Sequence, residues 1–170
     1  MDEKSLINAA QNGDADAFCS LYSAYKNRLY SYAFFKLQNR EDAEDAVQNC
    51  VLSAFEQIGQ LKNAEAFSAW IFRILYCACA AATKEQMRRR TEESIESAAN
   101  LIAQNDMQFV LRQELLSALS QLNEQDRNIV LLSAVGGLKS HEIAQITGLS
   151  AGNVRQRLSR SLAKMKKILG

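Results

Sequence analysis

Proline is absent from this chain of 170 residues, and glycine occurs only seven times. Both residues punctuate a chain at turns, so their scarcity argues against a sandwich or barrel of many short strands and for long uninterrupted helices. Collagen-like repeats, low-complexity disorder and disulfide-stapled miniature folds are excluded by the same composition. Histidine occurs once, as His141. His141-Glu142 opens an H-E-x-x-H lookalike, but Gln145 stands where the second imidazole of a zinc protease would be. No G-x-x-x-x-G-K or G-x-G-x-x-G run is present to cradle a nucleotide. No catalytic set, metal, cofactor or small-molecule substrate is therefore expected, and the chain does not read as an enzyme. No run of 18 apolar residues occurs, so no membrane insertion is expected. Met1 to Gln11 carries acids and polar residues where a signal peptide needs bases and an apolar stretch, and a cytoplasmic location follows as an expectation.

Cysteine is also sparse: Cys19, Cys50, Cys77 and Cys79. The first two fall on apolar faces of predicted helices. The C-x-C of Cys77 and Cys79 lacks a second ligand pair at zinc spacing. All four read as reduced residues packed inside helices, where cysteine behaves as a small hydrophobe.

What the chain has is apolar periodicity. Hydrophobic residues make up 48% of it and charged residues 23%, an ordinary soluble balance with enough apolar side chains for a core. Phe18, Leu21, Tyr22, Tyr25, Leu29, Tyr32 and Ala33 recur at helical spacing within 14–38. Asn39 can cap a second helix, with Glu41, Asp42, Glu44 and Asp45 at the positive end of its dipole. Its stripe is Ala43, Ala46, Val47, Cys50, Val51, Ala54, Phe55 and Ile58. A third helix is expected from Ala64 to Arg89, with Phe67, Trp70, Ile71, Ile74 and Leu75 on its apolar face. Further helices are expected over Met107–Leu122, Glu124–Val135, Lys139–Thr147 and Ala151–Leu169. The fold class is all-α: two small helical domains, 1–90 and 107–170, joined by a linker over 91–106.

Charge is distributed unevenly. Residues 1–83 carry a net −3, residues 84–90 a net +3, residues 91–108 a net −4 and residues 109–170 a net +5, while the whole chain is +1. Six bases and no acid occupy the last 21 residues, an asymmetry that suggests nucleic-acid contact by the C-terminal domain. The opposed charges of linker and C-terminal domain also permit an electrostatic clasp between them.

Residues 139–160 fit a helix-turn-helix. Ala144 is small enough for two helices to approach, Gly148 can take the left-handed turn conformation, and Ser150 can cap the second helix. Ile143, Leu149, Val154 and Leu158 would face inward. Arg155, Gln156, Ser159 and Arg160 would face outward, where they can reach base edges or phosphates in a major groove. Lys164, Lys166 and Lys167 lie farther along and suit phosphates.

Two stretches resemble one family. Residues 42–56, Asp-Ala-Glu-Asp-Ala-Val-Gln-Asn-Cys-Val-Leu-Ser-Ala-Phe-Glu, resemble the polymerase-binding helix of bacterial RNA polymerase sigma factors of the extracytoplasmic-function group. Residues 121–162 resemble the second conserved domain of that group. The resemblance implies a promoter-specificity subunit whose partners are the polymerase core (the clamp of its largest subunit and the flap), double-stranded and melted promoter DNA, and an anti-sigma factor. It implies that Asp42, Glu44, Asp45, Gln48 and Glu56 dock on the core. It implies that Arg155, Gln156, Ser159, Arg160 and Lys164 meet the −35 element. Near the −10 element it implies Lys62, Asn63, Phe67 and Trp70, with Lys84, Arg88, Arg89 and Arg90 along the DNA backbone. Trp70 also fits the apolar stripe of its helix and so doubles as a core candidate. The chain departs from the family pattern at Cys77, Ala81 and Lys84, where asparagine, aspartate and arginine are usual, and at Asn49, Val51 and Asn123. These departures leave open a divergent −10 element or weaker melting. The alternatives are a helix-turn-helix regulator acting without polymerase and a degenerate sigma-like protein that titrates it.

Overall fold

The computed structural model describes residues 2–92 and 107–170. Every regular element among them is helical: α1 (Glu3–Gln11), α2 (Ala15–Leu37), α3 (Arg40–Gln57), two single 3-10 turns at Ile58–Gln60 and Ala64–Ala66, α4 (Phe67–Glu92), α5 (Met107–Ser120), α6 (Glu124–Ala134), α7 (Ser140–Thr147) and α8 (Ala151–Leu169). The expected linker, and the clasp between its acids and the C-terminal bases, fall largely on 93–106, outside the described residues. The third predicted helix runs on to Glu92, past the boundary expected at 90.

Capping sets most of the starts. The side chains of Asp2, Asp14, Asn39, Asn123 and Ser150 accept from the backbone N–H of Ser5, Ala17, Asp42, Asp126 and Asn153. Each satisfies a donor that the first turn of a helix leaves without an intrahelical partner. Gln38 closes α2 in the left-handed conformation at φ 55°, without the glycine that usually takes that role.

Helices α2, α3 and α4 pack as the N-terminal domain, with α1 laid against α2. Leu21, Leu29 and Tyr32 of α2, Ala43, Cys50 and Ala54 of α3, and Phe67, Ile71, Phe72, Leu75 and Cys79 of α4 fill its core. The stretch Ala64–Arg90 has an 18-residue window of mean hydropathy 1.4, long and apolar enough by length and composition to cross a membrane. Of this stretch Phe67, Ile71, Phe72, Leu75 and Cys79 are buried in the domain core, and 28% of the window is buried in all. Helices α5 to α8 form the second domain around Leu119, Ile129, Leu132, Ile143, Val154 and Met165.

Helix α1 (Glu3–Gln11) was not among the expected helices and buries Ile7 and Ala10, and two expectations need correction. Cys19 and Cys77 are exposed rather than packed. On α2 the core line runs through Phe18 and Leu21, and on α4 through Leu75 and Cys79. A step of one residue turns a helix side chain about 100° off such a line, and two residues turn it about 200°. Phe55 lies at the edge of its stripe and is 51% exposed, one side of its ring resting edge-on against Phe18 at 5.2 Å between centroids.

The two domains touch through α2 with α6 and α4 with α7. Lys36 Nζ lies 3.0 Å from Glu124 Oε1, and Arg28 Nη1 donates to the Gly136 carbonyl at 3.3 Å. The Arg112 guanidinium sits 5.4 Å from the Phe34 ring centroid. These contacts are polar or cation–π, and the buried apolar residues of the two domains form one continuous cluster.

Candidate nucleic-acid and polymerase interfaces

The helix-turn-helix is built as its sequence suggests. Glu142 accepts from the Lys139 N–H at 2.9 Å and holds the start of α7. Ile143 and Ala144 face the core. Gly148 adopts φ 78° and its N–H closes α7 on the Ala144 carbonyl. A side chain at that φ would be strained, which is why glycine fits the turn. Ser150 then caps α8, and Val154, fully buried, fixes its rotation.

That rotation leaves Arg155, Gln156, Ser159 and Arg160 exposed, in two i,i+4 rows on one side of the helix. No acid pairs with Arg155 or Arg160 among the described residues. Arg157, between them in sequence, turns inward: its Nη1 meets Asp126 Oδ1 at 2.9 Å and its Nε meets Asn153 Oδ1 at 2.8 Å. The cation that orients the helix is thus distinct from the cations it presents. Lys164 is exposed but donates to the Gln121 carbonyl at 2.9 Å, tying α8 to the end of α5.

The N-terminal domain treats its charges differently. Arg89 and Asp42, one expected on DNA and the other on polymerase, are bound to each other. Arg89 Nη2 lies 2.9 and 2.8 Å from the two Asp42 carboxylate oxygens, and Gln86 Nε2 adds a bond of 2.7 Å to the same group. With Asp42 13% exposed, the network fastens the end of α4 to the start of α3. Arg88 is paired with Glu85, and Glu44 with Arg40. Lys84 and Arg90 are exposed.

The remaining docking candidates, Asp45, Gln48 and Glu56, share one side of α3 with two residues that sequence reasoning missed in this role. Leu52 is 62% exposed, and Phe55 adds its outer face. Apolar side chains rimmed by polar ones are the composition of a protein-binding surface. The signal was available in the spacing 45, 48, 52, 55/56, but Phe55 was assigned to the core and Leu52 to no face.

Lys62 and Asn63 lie exposed on the connection between the two 3-10 turns. The Asn63 side-chain Oδ1 accepts from the Glu65 N–H at 3.0 Å. Phe67 is 1% exposed and packs edge-on to Tyr25 at 5.1 Å, so in this state it supports the loop from below. Trp70 is half-buried beside it, 5.9 Å between centroids. Arg73, also missed, is exposed on α4 on the side that carries Cys77 and Lys84. An arginine inside so apolar a stretch was itself the signal for a water-facing side.

The C-x-C reading as a metal site finds no support in the geometry. Cys79 is buried and Cys77 exposed, and burial pushes the Cys50 and Cys79 thiols up to about 12. Among the described residues, no three His, Cys, Asp or Glu side chains gather to hold a metal ion.

An all-helical pair of domains whose second half projects a basic recognition helix defines a DNA-binding protein of the helix-turn-helix class. The comparisons narrow that class. Residues 21–89 match the family model for sigma-70 region 2, and residues 112–165 that for sigma-70, region 4. The RNA polymerase sigma factor CarQ of Myxococcus xanthus is 31% identical over 162 residues, covering 94% of this chain and 93% of its own. The ECF RNA polymerase sigma factor SigM of Mycobacterium tuberculosis is 27% identical over 170 residues, covering 99% of this chain and 85% of its own. Among solved structures, CnrH in complex with the cytosolic domain of CnrY has the same fold, with a TM-score of 0.75 at 23% identity, covering 98% of this chain and 96% of that one. RpoE of Bartonella quintana, solved with the anti-sigma factor NepR, has a TM-score of 0.72 at 23% identity over 89% of this chain and 96% of that one.

The chain therefore belongs to the sigma-70 family of RNA polymerase sigma factors, in its extracytoplasmic-function group. Its function is that of the group: promoter-specific transcription initiation through core polymerase and promoter DNA. The region 2 match is what separates it from a helix-turn-helix regulator that works without polymerase.

Proposed function

We propose that the two domains divide the work as follows. Arg155, Gln156, Ser159 and Arg160 read the −35 element in the major groove, and Lys164 exchanges its carbonyl partner for a phosphate on binding. Asp45, Gln48 and Glu56 dock on the polymerase clamp around Leu52 and Phe55, with the flap meeting the second domain. Asp42 and Glu44 stand at the edge of that face. Lys62, Asn63 and Trp70 meet the −10 element. Lys84, Arg88 and Arg90 track the DNA backbone, and Arg73 extends the same side of α4. The chain does no covalent chemistry and acts in the cytoplasm. Unstacking a base costs a few kcal/mol, and polymerase binding together with base capture supplies it. An anti-sigma factor is the expected antagonist, since RpoE was solved with the anti-sigma factor NepR and CnrH with the cytosolic domain of CnrY.

The observation that carries this reading is the outward side of α8, where Arg155 and Arg160 are exposed and pair with no acid among the described residues. Run-off transcription with purified core polymerase and a promoter library tests it. Initiation that depends on the chain, and selects one spaced pair of short elements, is expected. Binding to core without initiation would instead favour a titrating protein.

A further inference from the structure

We infer that Gln11 is a positioning residue for the promoter-reading loop. The inference rests on the proposal above that the loop carrying Lys62 and Asn63 meets the −10 element. Gln11 is the last residue of α1, far from that loop in sequence and outside the stretch 21–89 that matches region 2. Its amide nitrogen donates to the Ile58 carbonyl at 3.0 Å and to the Leu61 carbonyl at 2.8 Å. Both donors of the amide are thereby spent on the two ends of the first 3-10 turn. Lys62 and Asn63 follow immediately, both exposed.

Gln11 is itself held firmly. The turn after α1 is closed by the Gly13 N–H on the Ala10 carbonyl and the Asp14 N–H on the Ala9 carbonyl, each at 3.0 Å, and Asp14 then caps α2. Ile7 and Ala10 pack into the core, and at the far end of α1 the Tyr25 hydroxyl donates to Glu3. The other side of the Tyr25 ring meets Phe67 at the start of α4. Helix α1 thus braces the loop from both directions: Gln11 grips its first half, and Glu3 through Tyr25 supports the ring beneath its second half. Ile58 and Leu61 are both buried, 4% and 8% exposed, so the apolar anchors fix the depth of the loop. The amide fixes the path of its backbone, and therefore where Lys62 and Asn63 point. A short loop that must catch one unstacked base needs that definition before DNA arrives, because ordering it on binding would cost affinity.

The test compares full-length Gln11→Met, which keeps the side-chain length and removes both donors, with Gln11→Lys, whose ammonium restores them. Asn63→Ala is the reference for the loop itself. Initiation is measured with core polymerase on a promoter and on a panel of its single-base −10 variants, alongside the core concentration giving half-maximal initiation. Gln11→Met should lower initiation roughly tenfold, flatten the discrimination among −10 bases and leave the half-maximal core concentration unchanged. Gln11→Lys should restore discrimination. If Asn63→Ala flattens discrimination and Gln11→Met does not, the inference is overturned while the assignment of the loop stands. If neither variant changes it, the assignment of the loop fails and the inference with it. Equal losses of core binding and initiation in Gln11→Met, unrescued by Gln11→Lys, would show a merely structural bond and also overturn it.

Discussion

In the N-terminal domain Asp42, Gln86 and Arg89 close a network between α3 and α4, whereas on α8 Arg155 and Arg160 stand exposed and pair with no acid among the described residues. Both sets look alike in the sequence: charged residues on helices of a DNA-binding protein. The difference lies in what crosses from the neighbouring helix. The start of α3 brings Asp42 against the end of α4, and a charge-assisted pair through Arg89 Nη2 there becomes part of the fold. Across from α8, Asp126 is taken by Arg157, and among the described residues no other carboxylate pairs with Arg155 or Arg160. Each domain thus has an apolar core and an ion pair between its helices, and the second also presents Arg155 and Arg160 outward.

Substitutions should separate the two uses. The largest effect is expected in the second domain's core. Ile143→Ala removes a fully buried side chain and should cost about 2–5 kcal/mol, read by thermal or denaturant unfolding, with loss of −35 binding as the hold on α8 loosens. Asp42→Ala should come next. It strands Arg89 half-buried and removes charge-assisted bonds, a loss of about 1.5–3 kcal/mol that shows as instability of the N-terminal domain before any loss of polymerase affinity. A variant as stable as the parent but weak for core would place Asp42 in the docking face instead. Arg160→Ala should leave stability unchanged and weaken −35 DNA by about 1–3 kcal/mol if the arginine reads a base. If it meets only a phosphate, the loss is uniform across sequences and the salt slope falls by about one.

The smallest effect concerns the contact between the domains. The Lys36 ammonium beside Glu124 holds its carboxyl below the ordinary 4.5. A carboxyl whose value is lowered in the folded state contributes stability above its unfolded value, and that contribution is lost as pH falls through the lowered one. The domains should therefore separate more readily below about pH 4.5, by at most about 1 kcal/mol because Glu124 is largely exposed. Solution scattering against pH should show this in the parent and not in Lys36→Met.

Much of this was legible beforehand. The stripes of α2, α3 and α4, the caps Asn39 and Ser150 and the left-handed Gly148 follow from periodicity and turn chemistry alone. The outward quartet of α8 was legible because Val154 and Leu158 fix the helix rotation. What escaped depended on residues distant in the chain. That Asp42 meets Arg89, that Lys36 reaches Glu124 and that Gln11 holds the carbonyls of Ile58 and Leu61 are facts of tertiary packing with no local signature. Helix α1 escaped for a different reason: at nine residues its apolar pattern is too short to stand out, and tertiary contact stabilises it. Leu52 and Phe55 were hidden because an apolar residue on a helix is assigned to the core unless something marks a binding face.

The most direct measurement is a footprint of the reconstituted holoenzyme on a promoter it selects, comparing the parent with the double variant Arg155→Ala/Arg160→Ala at equal core occupancy. Nuclease protection reports the upstream contact, and permanganate reactivity of unpaired thymines reports melting. The parent should protect the −35 element and open the −10 region, and the variant should lose the upstream protection while still binding core. Unchanged protection in the variant would contradict the assignment of that face to DNA.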